Sequence, residues 1–393
     1  MLIDYKTLKS ELNNELYNIL NYWIENTLDL KYGGFVGRID HYNNIIPEAS
    51  KGIILNTRIL WSFSAASNHL KTNEYQNICD RAYDYLKKHF NDPINEGLYW
   101  ELDFKGNTTN SRKQIYAQAF GIYALSEYYM FSKNEDAKNW ATKLFKLIEK
   151  HAKDTKKLGY LEAFNKDWSP IKDMRLSEKD MNASKTMNTH LHILEAYTSL
   201  AKIYDNDDLK ESLTVLTSLF LNTFLNKENH YELFFDDDWN LLSHSVSYGH
   251  DIEAAWLVIE AAKQINNNEL LKKANKVAID VANTFLAEGI DTEGAVINEK
   301  NISTNHKDTD RHWWPQVEAL VGLKYAYELT NDNKYINASQ KIWQFTKNNL
   351  LDSKNGEWFF RVDKLGNIYK NEDKVSMWKA PYHTSRACIM LNN

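Results

Sequence analysis

The amino-acid sequence predicts an all-α chain closed into one (α/α)6 barrel, six inner and six outer helices with short β-hairpins on one face. Three observations predict it: a signature that recurs six times, two kinds of helical segment that alternate, and a polar cluster opening each segment of one kind. The signature is a glycine, then aromatic or β-branched residues, then a polar turn, as in Gly34-Phe35-Val36-Gly37-Arg38-Ile39-Asp40. It returns from Gly97, Gly159, Tyr231, Gly294 and Gly356, at intervals of 63, 62, 72, 63 and 62 residues. Six units of this length account for residues 1–393 as a single domain.

Taken in order, the first helical segment, 4–28, is amphipathic, and so is the stretch 72–90. In the latter Tyr75, Ile78, Cys79, Ala82, Leu86 and Phe90 make one apolar stripe with charges opposite. Segments 135–152, 207–224, 268–286 and 333–350 read the same way and belong to the outer layer. Between them lie 56–68, 114–130, 187–204, 248–263, 312–329 and 380–391, apolar nearly all round. Ile252, the run Ala254 to Ile259, Ala261 and Ala262 leave segment 248–263 little polar face, so it is expected to be buried on both sides. An outer helix precedes the first inner one, which lets the chain ends meet. An open solenoid would need capping repeats, and the six units show none.

The composition, 43% hydrophobic and 25% charged, is that of a soluble globular protein. A net charge of -6 supplies no basic footprint for nucleic acid. Charges interrupt the apolar pattern of the first 30 residues, no stretch reaches membrane-spanning length, and a cytoplasmic protein is expected, without membrane partners. Two cysteines, Cys79 and Cys388, cannot supply a metal quartet and read as reduced, buried thiols. The sequons at Asn182, Asn301 and Asn337 are then accidents of an asparagine-rich chain. Aromatic residues reach 13%, enough both for a large core and for rings that stack on the C–H faces of sugars.

Inner helices this apolar should not begin with polar clusters, yet nearly every one does. The starts read Asn56-Thr57-Arg58, Lys113-Gln114-Ile115-Tyr116, Asn188-Thr189-His190-Leu191-His192, Gly249-His250-Asp251-Ile252-Glu253, Arg311-His312-Trp313-Trp314-Pro315-Gln316 and Trp378-Lys379-Ala380-Pro381-Tyr382-His383. Parallel inner helices bring all six starts to one mouth, where helix N-termini favour a developing negative charge by roughly 0.3–1 kcal/mol each. His190 and His192 resemble a metal pair, but residues two apart on a helix point to opposite sides, and chelation wants a spacing of four. Asn188 and His192 share a face, so His192 is taken to face the cavity and His190 to be structural. His250 and Glu253 share a face at i, i+3, and a carboxylate beside an imidazole suits proton transfer, although a structural ion pair has the same spacing. Arg58 suits an oxyanion or a neighbouring carboxylate equally. The long segments 166–186, with Asp180, and 299–310 read as loops beside the cavity, the string Asn305 to Asp308 as solvated loop.

At these residues the chain resembles a known family. The strings RILWSFSAA from Arg58, YAQAFGIYALSEYY from Tyr116, NTHLHILEAYT from Asn188, SYGHDIEAAWL from Ser247, WWPQVEAL from Trp313 and WKAPYHTSRAC from Trp378 are similar to those of cellobiose 2-epimerases, within the N-acylglucosamine 2-epimerase superfamily. The resemblance is essentially full-length and implies the same barrel. It implies that His250 and His383 are the acid/base pair, His192 a third essential histidine and Arg58 the arginine near the sugar O1. It further implies Tyr116, Asp180, Asn188 and Glu253 as supporting polar residues and Trp313 and Trp378 as aromatic platforms, with Trp314 an alternative to Trp313. The implied reaction is epimerisation at C2 of the reducing-end sugar of a β-1,4-linked disaccharide, through a cis-enediolate, without metal or other cofactor, in a monomer. A monosaccharide isomerase or 2-epimerase, mannose- or N-acylglucosamine-directed, would use the same intermediate. A glycosidase would need two carboxylates such as Asp180 and Glu253 roughly 5–9.5 Å apart, and a sugar-binding protein would show no turnover.

Overall fold

The computed structural model describes residues 4–392, so residues 1–3 and 393 of the expected domain lie outside the described residues. In chain order the helices are α1 (Tyr5–Asn26), α2 (Ile53–Leu70), α3 (Gln76–Tyr85), α4 (Ile115–Ser132), α5 (Glu135–His151), α6 (Met187–Leu200), α7 (Asp207–Leu219), α8 (Tyr248–Ile265), α9 (Asn268–Glu288), α10 (Trp313–Thr330), α11 (Asn333–Asn349) and α12 (Tyr382–Asn392). The odd-numbered helices bury one stripe, as α5 does with Ala137, Ala141, Leu144, Phe145, Leu147 and Ile148. The even-numbered ones are buried nearly throughout: every residue of α2 from Ile53 to Ser67 is buried. Single π-helical turns, Leu86–Phe90 and Phe220–Phe224, extend α3 and α7, each ending on a fully buried phenylalanine.

The two layers begin differently. Five outer helices start on a side-chain cap, from Asp4, Asn134, Asn206, Asn267 and Asp332, each oxygen accepting from an amide of the first turn. Five inner helices run straight out of short strands, α6 being capped by the Thr186 hydroxyl as well: β1 (Lys51–Gly52) precedes α2, β2 (Glu101–Leu102) and β3 (Thr108–Asn110) follow α3, and β4 (Lys113–Gln114) opens α4. The pattern continues with β5 (Ala163–Phe164), β6 (Lys185–Thr186), β7 (Phe234–Phe235), β8 (Ser245–Ser247), β9 (Glu299–Asn301), β10 (His306–Asp308), β11 (Arg311–His312) and β12 (Arg361–Val362). Each strand that opens an inner helix pairs antiparallel with the signature of the next repeat: β1 with β2, β4 with β5, β6 with β7, β8 with β9 and β11 with β12. The sixth pairing runs backwards along the chain, Val375 bridging to Ile39 of the first signature. That bridge and the packing of α12 on α2 and on α1 close the ring. Indole N–H groups of Trp343 and Trp358 donate to Glu11 and Glu15 of α1 at 2.6 Å, which fastens the last repeat to the first.

Buried ion pairs repeat with the units. A lysine or arginine on the strand entering an inner helix meets an aspartate after the preceding outer helix in Lys51–Asp29, Lys113–Asp92, Lys185–Asp154, Arg311–Asp291 and Lys374–Asp352. The fourth repeat has no such lysine, and Asn226 holds the equivalent turn by accepting from the amides of Glu228 and His230. One expectation is corrected here: segment 299–310 is not a loop but the hairpin β9–β10 laid on β8, with His306 and Lys307 exposed on its outer strand. No helix among the described residues is long and apolar enough to cross a membrane.

Candidate active site

Internal symmetry separates structural from reactive positions. One residue in the first turns of each of four inner helices grips the neighbouring signature: Gln118 accepts from Leu98 N–H at 2.7 Å, His190 from Tyr160 N–H at 2.8 Å, Asp251 from Tyr231 N–H at 2.8 Å and Gln316 from Val296 N–H at 2.9 Å. His190 therefore does the work that glutamine does elsewhere. Its Nε2 is an acceptor and its Nδ1–H donates to Thr186 O at 2.6 Å, so both nitrogens are engaged and neither serves a metal. Two residues further along, on the inward face, stand Phe120, His192, Glu253 and Glu318, and Arg58 of α2 and His383 of α12 join them from the remaining inner helices.

Above this ring opens a cavity of about 540 Å³, within the size of small-molecule sites, roughly 300–1,000 Å³. All eleven residues singled out from the sequence line it. His192, His250, Glu253 and His383 come from the first turns of α6, α8 and α12, Arg58 and Tyr116 from α2 and α4, and Asn188 from α6. Trp313, Trp314 and Trp378 form aromatic wall, and Asp180 arrives on the segment 176–180, which also lines the cavity. His383 lies inside α12 rather than ahead of it, because the helix starts at Tyr382, directly after Pro381.

The three imidazoles are oriented differently. His383 Nδ1–H donates to Glu318 Oε1 at 2.7 Å and His192 Nδ1–H to Glu195 Oε2 at 3.0 Å, which leaves each Nε2 for the cavity. His250 Nδ1 lies 2.8 Å from Ser247 Oγ. The expected pairing of His250 with Glu253 is not made. Glu253 turns to Arg386, whose guanidinium also bonds Glu195 and, at 2.6 Å, Glu318. Arg386 is thus the common counter-charge of three carboxylates, two of which hold a histidine. Glu253, Glu318 and His383 also converge closely enough to ligate a metal, and this guanidinium already bridges both carboxylates.

Burial sets the protonation. It lowers all three imidazoles, His250 to about 4 and His383 well below its ordinary value, so each is neutral near pH 7 and able to accept a proton. Burial pushes the carboxyls up too, but for Glu195 the Arg386 and His192 partners outweigh it and bring the group to about 2. For Glu318 burial wins and the carboxyl is raised despite Arg386. Arg58 is held by Nη1 on Trp378 O and Nη2 on Tyr116 OH, both 3.0 Å, and lies over Phe120 and Tyr382, 4.6 and 4.9 Å from the ring centroids. Its Nε has no partner, nor has Asn188 Oδ1. Trp314 lies against both His250 and His383, ring centroids 4.8 and 5.5 Å apart.

The sequence reading did not single out Glu195, Glu318 and Arg386. A signal existed: His192–Glu195 has the same i, i+3 spacing as His250–Glu253, and a lone arginine on a buried helix three residues after His383 must find anions. Which carboxylate meets which ring was decided between helices, and no spacing records it.

Fold and site together define a sugar-directed barrel enzyme family. The N-acylglucosamine 2-epimerase family model matches residues 33–387, and the chain belongs to that family. Among its relatives, the cellobiose 2-epimerase of Bacteroides fragilis is 43% identical over 386 residues, covering 98% of both chains. The solved structure of cellobiose 2-epimerase from Bacillus thermoamylovorans B4167 superposes with a TM-score of 0.94 at 38% identity, again covering 98% of each chain. A D-mannose isomerase of Marinomonas mediterranea is more distant, 24% identical over 378 residues, covering 91% of this chain and 90% of that one.

Proposed function

We propose that the protein is a cellobiose 2-epimerase, an isomerase that interconverts glucose and mannose at the reducing end of β-1,4-linked disaccharides such as cellobiose or lactose. The observation that carries this is the set of neutral imidazoles around one aromatic-walled cavity, with His250 on α8 and His383 on α12 both against Trp314 and a guanidinium, Arg58, on the same wall. One of His250 and His383 assists ring opening, and one takes the proton from C2. The electron pair left on C2 becomes the enediolate, whose O1 charge Arg58 and His192 stabilise. Rotation about C2–C3 turns the other face, and the second imidazole relays a proton from water to C2 while the first releases its own to water, so both end neutral. Trp313, Trp314 and Trp378 serve as stacking faces, and Tyr116, Asn188, Glu253 and Asp180 as polar contacts. The mechanism uses side chains alone.

The chemistry favours this reading over hydrolysis. A glycosidase acid must present its carboxyl to the leaving oxygen, whereas Glu253 is turned onto the Arg386 guanidinium. We read the working unit as a cytosolic monomer, whose two cysteines are free and buried. The deciding experiment is an NMR time course with cellobiose, then lactose, in D2O. A mannose-type reducing end carrying deuterium at C2 is the expected product. Inertness toward both disaccharides with conversion of free mannose would overturn the disaccharide assignment, since the same enediolate protonated at C1 gives a ketose.

A further inference from the structure

The ring has a second well at its other end, where the inner helices terminate. It has a volume of about 320 Å³ and shares no lining residue with the active-site cavity. One layer of side chains separates the two: Glu195, which holds His192 above, and Arg386 both form the floor of the lower well. Its wall is aromatic. Trp61 and Tyr123 stack with ring centroids 5.1 Å apart, and Trp256 lies on the same well, with Arg386 4.9 Å from its ring centroid. Polar groups stand among them. Asn68 Nδ2 donates to Glu127 Oε1 at 2.7 Å, and Lys202 and Glu260 complete the rim.

Three of the lining residues carry a buried polar atom with no hydrogen-bond partner: Trp61 Nε1, Arg386 Nε and Ser199 Oγ, on side chains 5%, 1% and 2% exposed. Such groups are costly when left unpaired, and native structures hold few. Two of them are N–H donors, so the complementary ligand brings oxygen acceptors. Both signs of charge line the well, glutamates with Lys202 and Arg386, so a net charge on the ligand gains nothing. Flat rings beside separated donors and acceptors suit a ring with apolar C–H faces and hydroxyl edges.

We propose that this well is a second binding site, for a single neutral pyranose, distinct from the active site and independent of the reaction assigned there. The test uses protein carrying 15N-labelled tryptophan and methyl β-D-glucopyranoside, which has no free anomeric centre and cannot turn over. The expected result is a saturable shift of the Trp61 indole N–H, identified by its absence in Trp61→Phe, with half-saturation on the order of 1 mM. The shift persists in Trp314→Ala, which alters only the upper cavity. It disappears in Ser199→Leu and separately in Asn68→Leu, which fill the well, while disaccharide turnover in both stays within about twofold of the parent. Two substitutions on different helices are used so that a failure of one to fold leaves the other. No saturable shift up to about 100 mM overturns the proposal, and so does a shift lost in Trp314→Ala but retained in both filled variants, since the sugar would then be entering the active site.

Discussion

Gly249, immediately before His250, shows how tightly the reactive ring is packed. A Cβ added there would lie 2.5 Å from Trp314, whose indole touches both His250 and His383. Gly249→Ala is therefore expected to push the indole and lower kcat by at least about tenfold with the fold intact, since small misplacements cost large factors in rate. Steady-state kinetics beside circular dichroism checks it. Replacing either His250 or His383 by asparagine removes a proposed proton carrier and should lower kcat roughly 100- to 10,000-fold; a variant keeping the parent rate would remove that histidine from the mechanism. Arg386 acts one layer further in. Its charge lowers the His383 imidazole, so in Arg386→Gln that ring holds its proton to higher pH and the acid limb of kcat/KM moves upward. A merely structural arginine would leave the limb in place while activity fell with the folded fraction. Arg386→Lys, keeping the charge, is expected to return the limb toward the parent position.

At the scale of the elements, the repeated ion pair is what seats an inner helix in register with its neighbour. Lys113 and Asp92 are wholly buried, 2.9 Å apart, and lie at the foot of α4. Burial raises the Asp92 carboxyl, but Lys113 and the amides of Asn95 and Ile94 reverse this and hold it well below the usual carboxylate range. Breaking such a pair from one side strands a charge, so Lys113→Ala should cost about 3–5 kcal/mol, measurable by urea denaturation. The exposed pair Lys87–Asp136 gives a control: Lys87→Ala should change stability by less than about 1 kcal/mol. The strand pairings carry the same register information, because each places one helix start beside the next signature. That is how side chains from α2, α4, α6, α8, α10 and α12 reach one mouth.

For the whole molecule the consequence is a shared dependence on pH. The buried imidazoles of His190, His192, His250, His312 and His383 are all depressed by burial, three of them to about 4. In the unfolded chain each binds a proton near pH 6.5. Between those values the unfolded state binds more protons, so stability rises with pH; it is complete above about 6.5 and lost as pH falls toward 4. Asp352, held at about 2 by Lys374 and Asn355 against the burial that raises it, adds a further loss below its ordinary 3.8. Thermal unfolding followed from pH 8 to pH 4 is expected to show a Tm that falls from near pH 6.5, by less than the five imidazoles alone would give, because Glu162, pushed up to about 8 by burial, takes up a proton in the folded state over the same range. A flat profile over that range would mean that the imidazoles are hydrated in solution. The ring is further expected to unfold in one transition, because its ends are tied through Trp343, Trp358 and the Ile39–Val375 bridge.

Periodicity alone determined the alternation of helices, the six signatures and the convergence of six polar starts, because all three are properties of local pattern repeated along the chain. His190 could be set apart from His192 by the same logic, since two residues rotate a helix position by about 200°. The π-turns at Leu86–Phe90 and Phe220–Phe224, and the hairpin at 299–308, left no such trace: each is a local choice settled by what packs against it. The partners of the histidines lay furthest beyond the sequence. Glu253 and His250 share a face of one helix, yet Arg386, 133 residues away from Glu253 along the chain, takes the carboxylate, because a buried guanidinium needs anions more than a neutral imidazole does. The sequence thus determined which residues face the centre of the ring, and only the closed tertiary structure decided which charges meet there, since that depends on the competition among six helices for one desolvated space.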